Sequence, residues 1–132
     1  MIRGTAAVMA GLAAWMLCAT ALDIALRLAL PGYAAAEPLL QFTLPMMIAR
    51  LALPGAVPSI LAGFIAAWIS RADRRATVAL AIILLLVFLP THYRLWTKFP
   101  LWYHLTFLAS LPLLTWLGAW LGAKLRGRPA TQ

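Results

Sequence analysis

The chain has 132 residues, of which 64% are hydrophobic and only 11% charged, and eleven Lys and Arg against three Asp and Glu give a net charge of +8. Soluble domains carry about 25% charged residues, so a soluble globular fold is set aside and a membrane protein is expected. The single cysteine, Cys18, excludes an intrachain disulfide and a cysteine-built zinc site.

The first apolar run, residues 5–30, follows Arg3 and contains Ala19-Thr20-Ala21, the outline of a secretory signal with its cleavage site. Apolarity continues to Leu30, which favours a retained span over a cleaved leader. Asp23 and Arg27 stand four residues apart and share a helix face, so they are expected to pair near the far interface, where the arginine can reach headgroup level. Pro31-Gly32 ends the run.

Residues 38–53 are interrupted by Pro38, Gln41, Pro45 and Arg50, just after Glu37. Two arrangements compete. One long helix from about Leu39 to Ser70, kinked at Pro45, Pro54 and Pro58, would be roughly 45 Å long, half as long again as a hydrocarbon core. The preferred arrangement is an interfacial or re-entrant segment over 38–53, a break around Leu53-Pro54-Gly55, and a second span over 54–70. Gly63 and Ala67 give that span a small-xxx-small spacing, which lets another backbone approach closely. The basic turn Arg71-Ala72-Asp73-Arg74-Arg75 is short, so the spans on either side are antiparallel neighbours.

The third span, 76–93, is closed by Pro90. The fourth, 101–123, contains Pro112, which deprives the carbonyl of Leu108 of its donor and leaves Thr106, Ser110 or Thr115 to compensate. Gly118 and Gly122 form a G-x-x-x-G pair for packing within the bundle or between subunits. Between these spans lies Pro90 to His104, rich in Tyr, Trp and Phe, as expected of a hairpin at a membrane surface.

Cations fall at the ends of apolar runs and not along one polar face, which points to lipid and topology and away from nucleic acid. With both termini cytoplasmic, Arg3, Arg71, Arg74, Arg75, Lys124, Arg126 and Arg128 lie inside, while Arg94 and Lys98, with Arg27 and Arg50, lie outside. Seven against four satisfies the positive-inside bias.

Two constellations carry chemistry. His92 ends the third span and His104 opens the fourth, so a hairpin could bring both imidazoles to the same depth, a placement open to haem ligation by two histidines, although hydrogen bonding at the interface explains them without a cofactor. Asp23, Arg27, Glu37, Arg50, His92, Arg94, Lys98 and His104 share the outer side and could surround a small polar cavity suited to an anionic headgroup or carboxylate. No G-x-S-x-G, H-E-x-x-H or phosphate-cradling glycine loop is present.

The expectation is an all-α integral membrane protein: a four-helix antiparallel transmembrane bundle with an interfacial or re-entrant segment before the second span. It is read as a single domain, without metal or cofactor and without enzymatic activity. It would act through lipid or partner-helix contacts, with a homo-oligomer through Gly118 and Gly122 as one form. Two alternatives are a small transporter or channel for an anionic solute and a haem-bearing electron-transfer subunit. The Ala-, Leu- and Arg-rich composition suits a bacterial inner membrane.

Overall fold

The computed structural model describes residues 2–127, so Arg128 of the inner basic set lies outside the described residues. Among these residues every regular element is helical. Helix α1, Ile2–Ala29, is straight in sequence terms: 28 residues without a proline, about 42 Å at 1.5 Å per residue. It stops where Gly32 takes a left-handed conformation (φ 81°), and a single turn, α2, Tyr33–Ala36, follows.

The next helix begins at α3, Leu44–Arg50. Thr43 caps it by accepting from the Met46 N–H, and Pro45 occupies its first turn, where the missing N–H costs nothing. The break expected around Leu53-Pro54-Gly55 does not occur. The backbone instead passes through one π-helical segment, Leu51–Ala56, and continues as α4, Val57–Ser70. The physical reason is Pro54. In an α-helix its ring would press on the carbonyl of Arg50 and leave it without a donor; a wider turn absorbs both problems without ending the helix. Leu44–Ser70 is thus one helix of 27 residues, with residues 44–53 belonging to it and not to a separate segment.

The turn after α4 is tight. Arg71 and Ala72 both have positive φ, and the Ala72 N–H donates to the Ala67 carbonyl. Asp73 then caps α5, Arg74–Arg94, by accepting from the Arg75 N–H, while its own N–H donates to Ser70 Oγ. Pro90, expected to close this helix, lies inside it, and the helix runs one turn further to Arg94. Helix α6, Leu101–Leu125, carries Pro112 internally. The compensation expected for Leu108 is not found: Ser110 Oγ donates to the Phe107 carbonyl, and Thr115 Oγ1 is buried without a partner.

Helices α1, α5, α6 and Leu44–Ser70 are each long and apolar enough to cross a membrane. Successive helices run antiparallel. Helix α1 packs on α4 and α5, and α6 packs on the same two from the opposite corner. Ala7, Trp15, Ala62, Ala66, Leu80, Leu84 and Leu111 form the centre, while Leu17, Leu86 and Leu113 present large apolar surfaces outward.

The closest approach is between α4 and α6. A Cβ on Gly63 would strike the Thr115 carbonyl, one on Gly118 would strike the Ile60 carbonyl, and one on Gly122 would come within 2.9 Å of the Phe64 oxygen and 3.3 Å of Ala67 Cβ. Gly63 and Ala67 therefore meet Gly118 and Gly122 within one chain. The close packing read from the G-x-x-x-G pair is thus made within the bundle.

At the end opposite the loop 30–43, the basic residues lie against tryptophans. Lys124 Nζ sits 4.9 Å above the Trp120 ring, and Arg126 lies over Trp68 and donates to its carbonyl.

Candidate functional site

The polar residues of the loop end converge on Asp23. One helical turn separates it from Arg27, and its Oδ2 lies 3.0 Å from the Arg27 guanidinium, the pairing read from the sequence. Because α1 ends at Ala29 and Gly32 turns the chain, it doubles back and brings Glu37 over Arg27. Arg27 then donates from Nε and Nη2 to the two oxygens of Glu37, both at 2.6 Å, a bidentate fork. From the other side Arg50, the last residue of α3, reaches Asp23 Oδ1 at 3.3 Å. Tyr33 closes the network, its hydroxyl donating to Asp23 Oδ1 at 3.0 Å and accepting from Arg50 at 2.7 Å.

Two guanidinia are matched one for one by two carboxylates. The hydrogen bonds from Arg27 hold the Glu37 carboxyl below its ordinary pKa. Burial pushes the Tyr33 phenol up to about 12 against the opposing pull of Arg50, so the tyrosine is neutral and the cluster sums to zero. The anion preference expected from counting cations in this region is therefore offset.

Three members of this network, Asp23, Arg27 and Arg50, form one end of a cleft of about 360 Å³, which Glu37 and Tyr33 do not line. Trp15, Ala19, Asp23 and Arg27 line it along α1, a reach of about 18 Å over twelve residues. Pro54 and Gly55 of the π segment form its back wall, with Phe88 of α5 and Phe107 of α6 toward the apolar end. Trp15 closes that end. Its indole donates to Ser59 Oγ at 2.9 Å, Ser59 donates onward to the Gly55 carbonyl, and the ring packs 4.6 Å from Phe88. Thr20, Ile24 and Arg27 are the exposed lining residues and mark the mouth. The cleft is thus charged at one end, apolar at the other and open along α1.

His92 and His104 are brought together, but in a pair of their own and not as lining of the cleft. The last turn of α5 and the first of α6 set their Nδ1 atoms 2.7 Å apart, and His104 Nε2 lies 3.3 Å from the Trp96 carbonyl. A carbonyl only accepts, so His104 carries its proton on Nε2; its Nδ1 then accepts, and His92 donates from Nδ1. Both rings are buried, and His104 stacks on Trp96. Axial ligation of haem by both histidines would break both of these bonds. Among the described residues no group of three or more His, Cys, Asp or Glu is placed to hold a metal ion. Arg94 and Lys98, counted with this set in the sequence, are exposed on the hairpin and outside the network.

Tyr33 is the member that sequence reasoning missed, along with the cleft walls Trp15, Phe88 and Phe107. A series of ring contacts ties Tyr33 to the hairpin: Tyr33 tilted against Phe42 at 5.3 Å, Phe42 stacked on Phe99 at 5.8 Å and Phe99 stacked on Tyr103 at 4.5 Å, with Arg50 over Phe42. The aromatic residues of Pro90 to His104 thus dock the two loop segments to one another as well as presenting Tyr93 and Trp96 outward. No family model matches the chain, and neither a curated protein nor a solved structure is significantly similar to it.

Proposed function

We propose that this chain is a small multi-pass membrane protein without enzymatic activity that binds an amphiphilic lipid-like molecule from the bilayer. The bundle crosses the membrane with both termini on the cytoplasmic side, in keeping with the inner membrane of a bacterium. The observation that carries this reading is the shape and polarity of the cleft. Its charged end is built by Asp23, Arg27 and Arg50, its apolar end by Trp15, Phe88 and Phe107, and its volume is about 360 Å³. Ligand sites are typically apolar concavities with a few converging polar groups.

Depth supports the same reading. Asp23 lies 21 residues along α1 from Ile2, about 31 Å at 1.5 Å per residue, close to the thickness of the hydrocarbon core. The charged end then falls at headgroup level and the aromatic end among acyl chains. Transport of an anionic solute draws less support, because the carboxylates already match the guanidinia, and the haem reading draws less because the two histidines bond each other.

The test is retention of lipid by the purified protein. Native mass spectrometry of the detergent-extracted chain is expected to find a bound amphiphile, and Ala19→Trp, which fills the cleft beside Asp23, is expected to lose it. A wild-type protein that retains no amphiphile, or an Ala19→Trp variant that retains it undiminished, would refute the proposal.

A further inference from the structure

We infer that the cleft takes a headgroup of no net charge bearing both an anionic oxygen and a primary ammonium, the chemistry of an aminophospholipid; the inference rests on the amphiphile reading above. Three observations lead there. The first is charge balance. Asp23 and Glu37 are paired with Arg27 and Arg50 at distances of 2.6 to 3.3 Å, and Arg94 and Lys98 do not line the cleft. A ligand with net charge would leave the cluster charged in a medium of low dielectric, where an unbalanced charge is costly. A zwitterion leaves the sum at zero.

The second observation is the arrangement of the two signs. The side chain of Arg27 is 47% exposed, at the mouth, and those of Asp23 and Glu37 beside it are 20% and 23% exposed. A cation, Arg27, and an anion, Asp23, are therefore presented side by side at one end of the cleft, with Glu37 bonded to Arg27 outside the lining, an arrangement complementary to a phosphate and an ammonium joined by a short linker. The guanidinium suits the phosphate as a donor-bearing cation, because its Nη1 is not one of the atoms bonded to Glu37 or Asp23.

The third separates a primary ammonium from a quaternary one. A primary ammonium has three N–H donors for carboxylate oxygens, whereas a quaternary ammonium has none and is recognised by a cage of aromatic faces. The aromatic lining, Trp15, Phe88 and Phe107, sits at the far end of the cleft from Asp23 and Arg27. The charged end therefore favours the donor-bearing headgroup.

The experiment exchanges the full-length protein into an equimolar mixture of phosphatidylethanolamine, phosphatidylglycerol and phosphatidylcholine with identical acyl chains and quantifies what native mass spectrometry finds bound. The ethanolamine lipid is expected to exceed each of the others by about tenfold, a difference of about 1.4 kcal/mol. Glu37→Gln leaves one guanidinium unmatched and is expected to move the preference toward the glycerol lipid. Ala19→Trp, and Thr20→Trp at the exposed mouth, block the cleft and are expected to release all three lipids, with helical content by circular dichroism reporting that each variant is folded. If the blocking variants release lipid while the wild type holds the three headgroups equally, or prefers the glycerol or choline lipid, the headgroup inference is overturned and the amphiphile reading stands. If folded blocking variants retain lipid as the wild type does, the amphiphile reading falls and takes the headgroup inference with it.

Discussion

Nδ1 of His92 donates to Nδ1 of His104 across 2.7 Å, and this one bond closes α5 onto α6 at the base of the aromatic hairpin. Its two ends are not equivalent. Replacing His104 with Phe leaves the buried His92 N–H without an acceptor, while replacing both with Phe removes donor and acceptor together. Leaving a buried polar group unpaired is the more costly change. The single variant is therefore expected to lose about 1 kcal/mol of stability, and the double variant less than the sum of the two singles. Unfolding of the four proteins in a double-mutant cycle measures the difference.

Tyr33 gives an alkaline transition with a defined sign. Burial pushes its phenol up to about 12, above an unperturbed value near 10, so the folded state favours the neutral form. The stability it contributes is fully present below about pH 10 and is lost as pH rises toward 12. Phenolate absorbance of the wild type is expected to show a late-titrating component, and Tyr33→Phe is expected to diminish it.

Glu37 works in the opposite direction. The hydrogen bonds from Arg27 lower its pKa, so its contribution is present above the ordinary carboxylate range, roughly pH 4.3 and up, and is lost as pH falls through the lowered value. Because Arg27 is exposed, the effect is small and screened by salt. A thermal-melting series between pH 3 and 7 is expected to show a modest acid-side loss that Glu37→Gln abolishes. A wild-type profile unchanged by that substitution would count against the pairing.

Glycine substitutions separate packing from helix propensity. A methyl group on Gly63 or Gly118 would enter a facing backbone carbonyl, whereas one on Gly4 meets nothing within 4 Å. Gly63→Ala and Gly118→Ala are expected to cost about 1–3 kcal/mol or more, in the manner of overpacked cores. Gly4→Ala is expected to be neutral or slightly stabilising, since alanine is the better helix former. Unfolding in a graded detergent series ranks the three variants.

The number of long helices, the antiparallel turn at 71–75 and the Asp23–Arg27 pair were legible from residue type and spacing alone. So was the grouping of Glu37 and Arg50 with that pair at one end of the bundle, because alternating long helices sort the polar residues between them to one end or the other. Tyr33 was not, since nothing in its neighbours distinguishes a tyrosine folded inward from one anchored at an interface. The prolines misled twice, at Pro54 and Pro90, for a common reason. A proline signals a lost N–H, but whether the backbone stops or widens depends on what its neighbours pack against, and here α1 and α6 hold the helix on course at Pro54. The glycine pair of α6 was legible as a close contact, but its partner was not.

The π segment has a last consequence, for the length of the chain. A wide turn holds one residue more than an α turn, so residues 44–50 are set about 100° out of phase with 57–70. That offset is what turns Arg50 toward Asp23 while Gly63 still faces Thr115. A one-residue deletion between 51 and 56 would shift residues 44–50 by about 100° relative to 57–70, keeping the buried side chains of α4 in place yet swinging Arg50 away from its carboxylate. In this protein the spacing between two functions is stored as a residue count, and a frame of one separates a complete site from a bundle that merely folds.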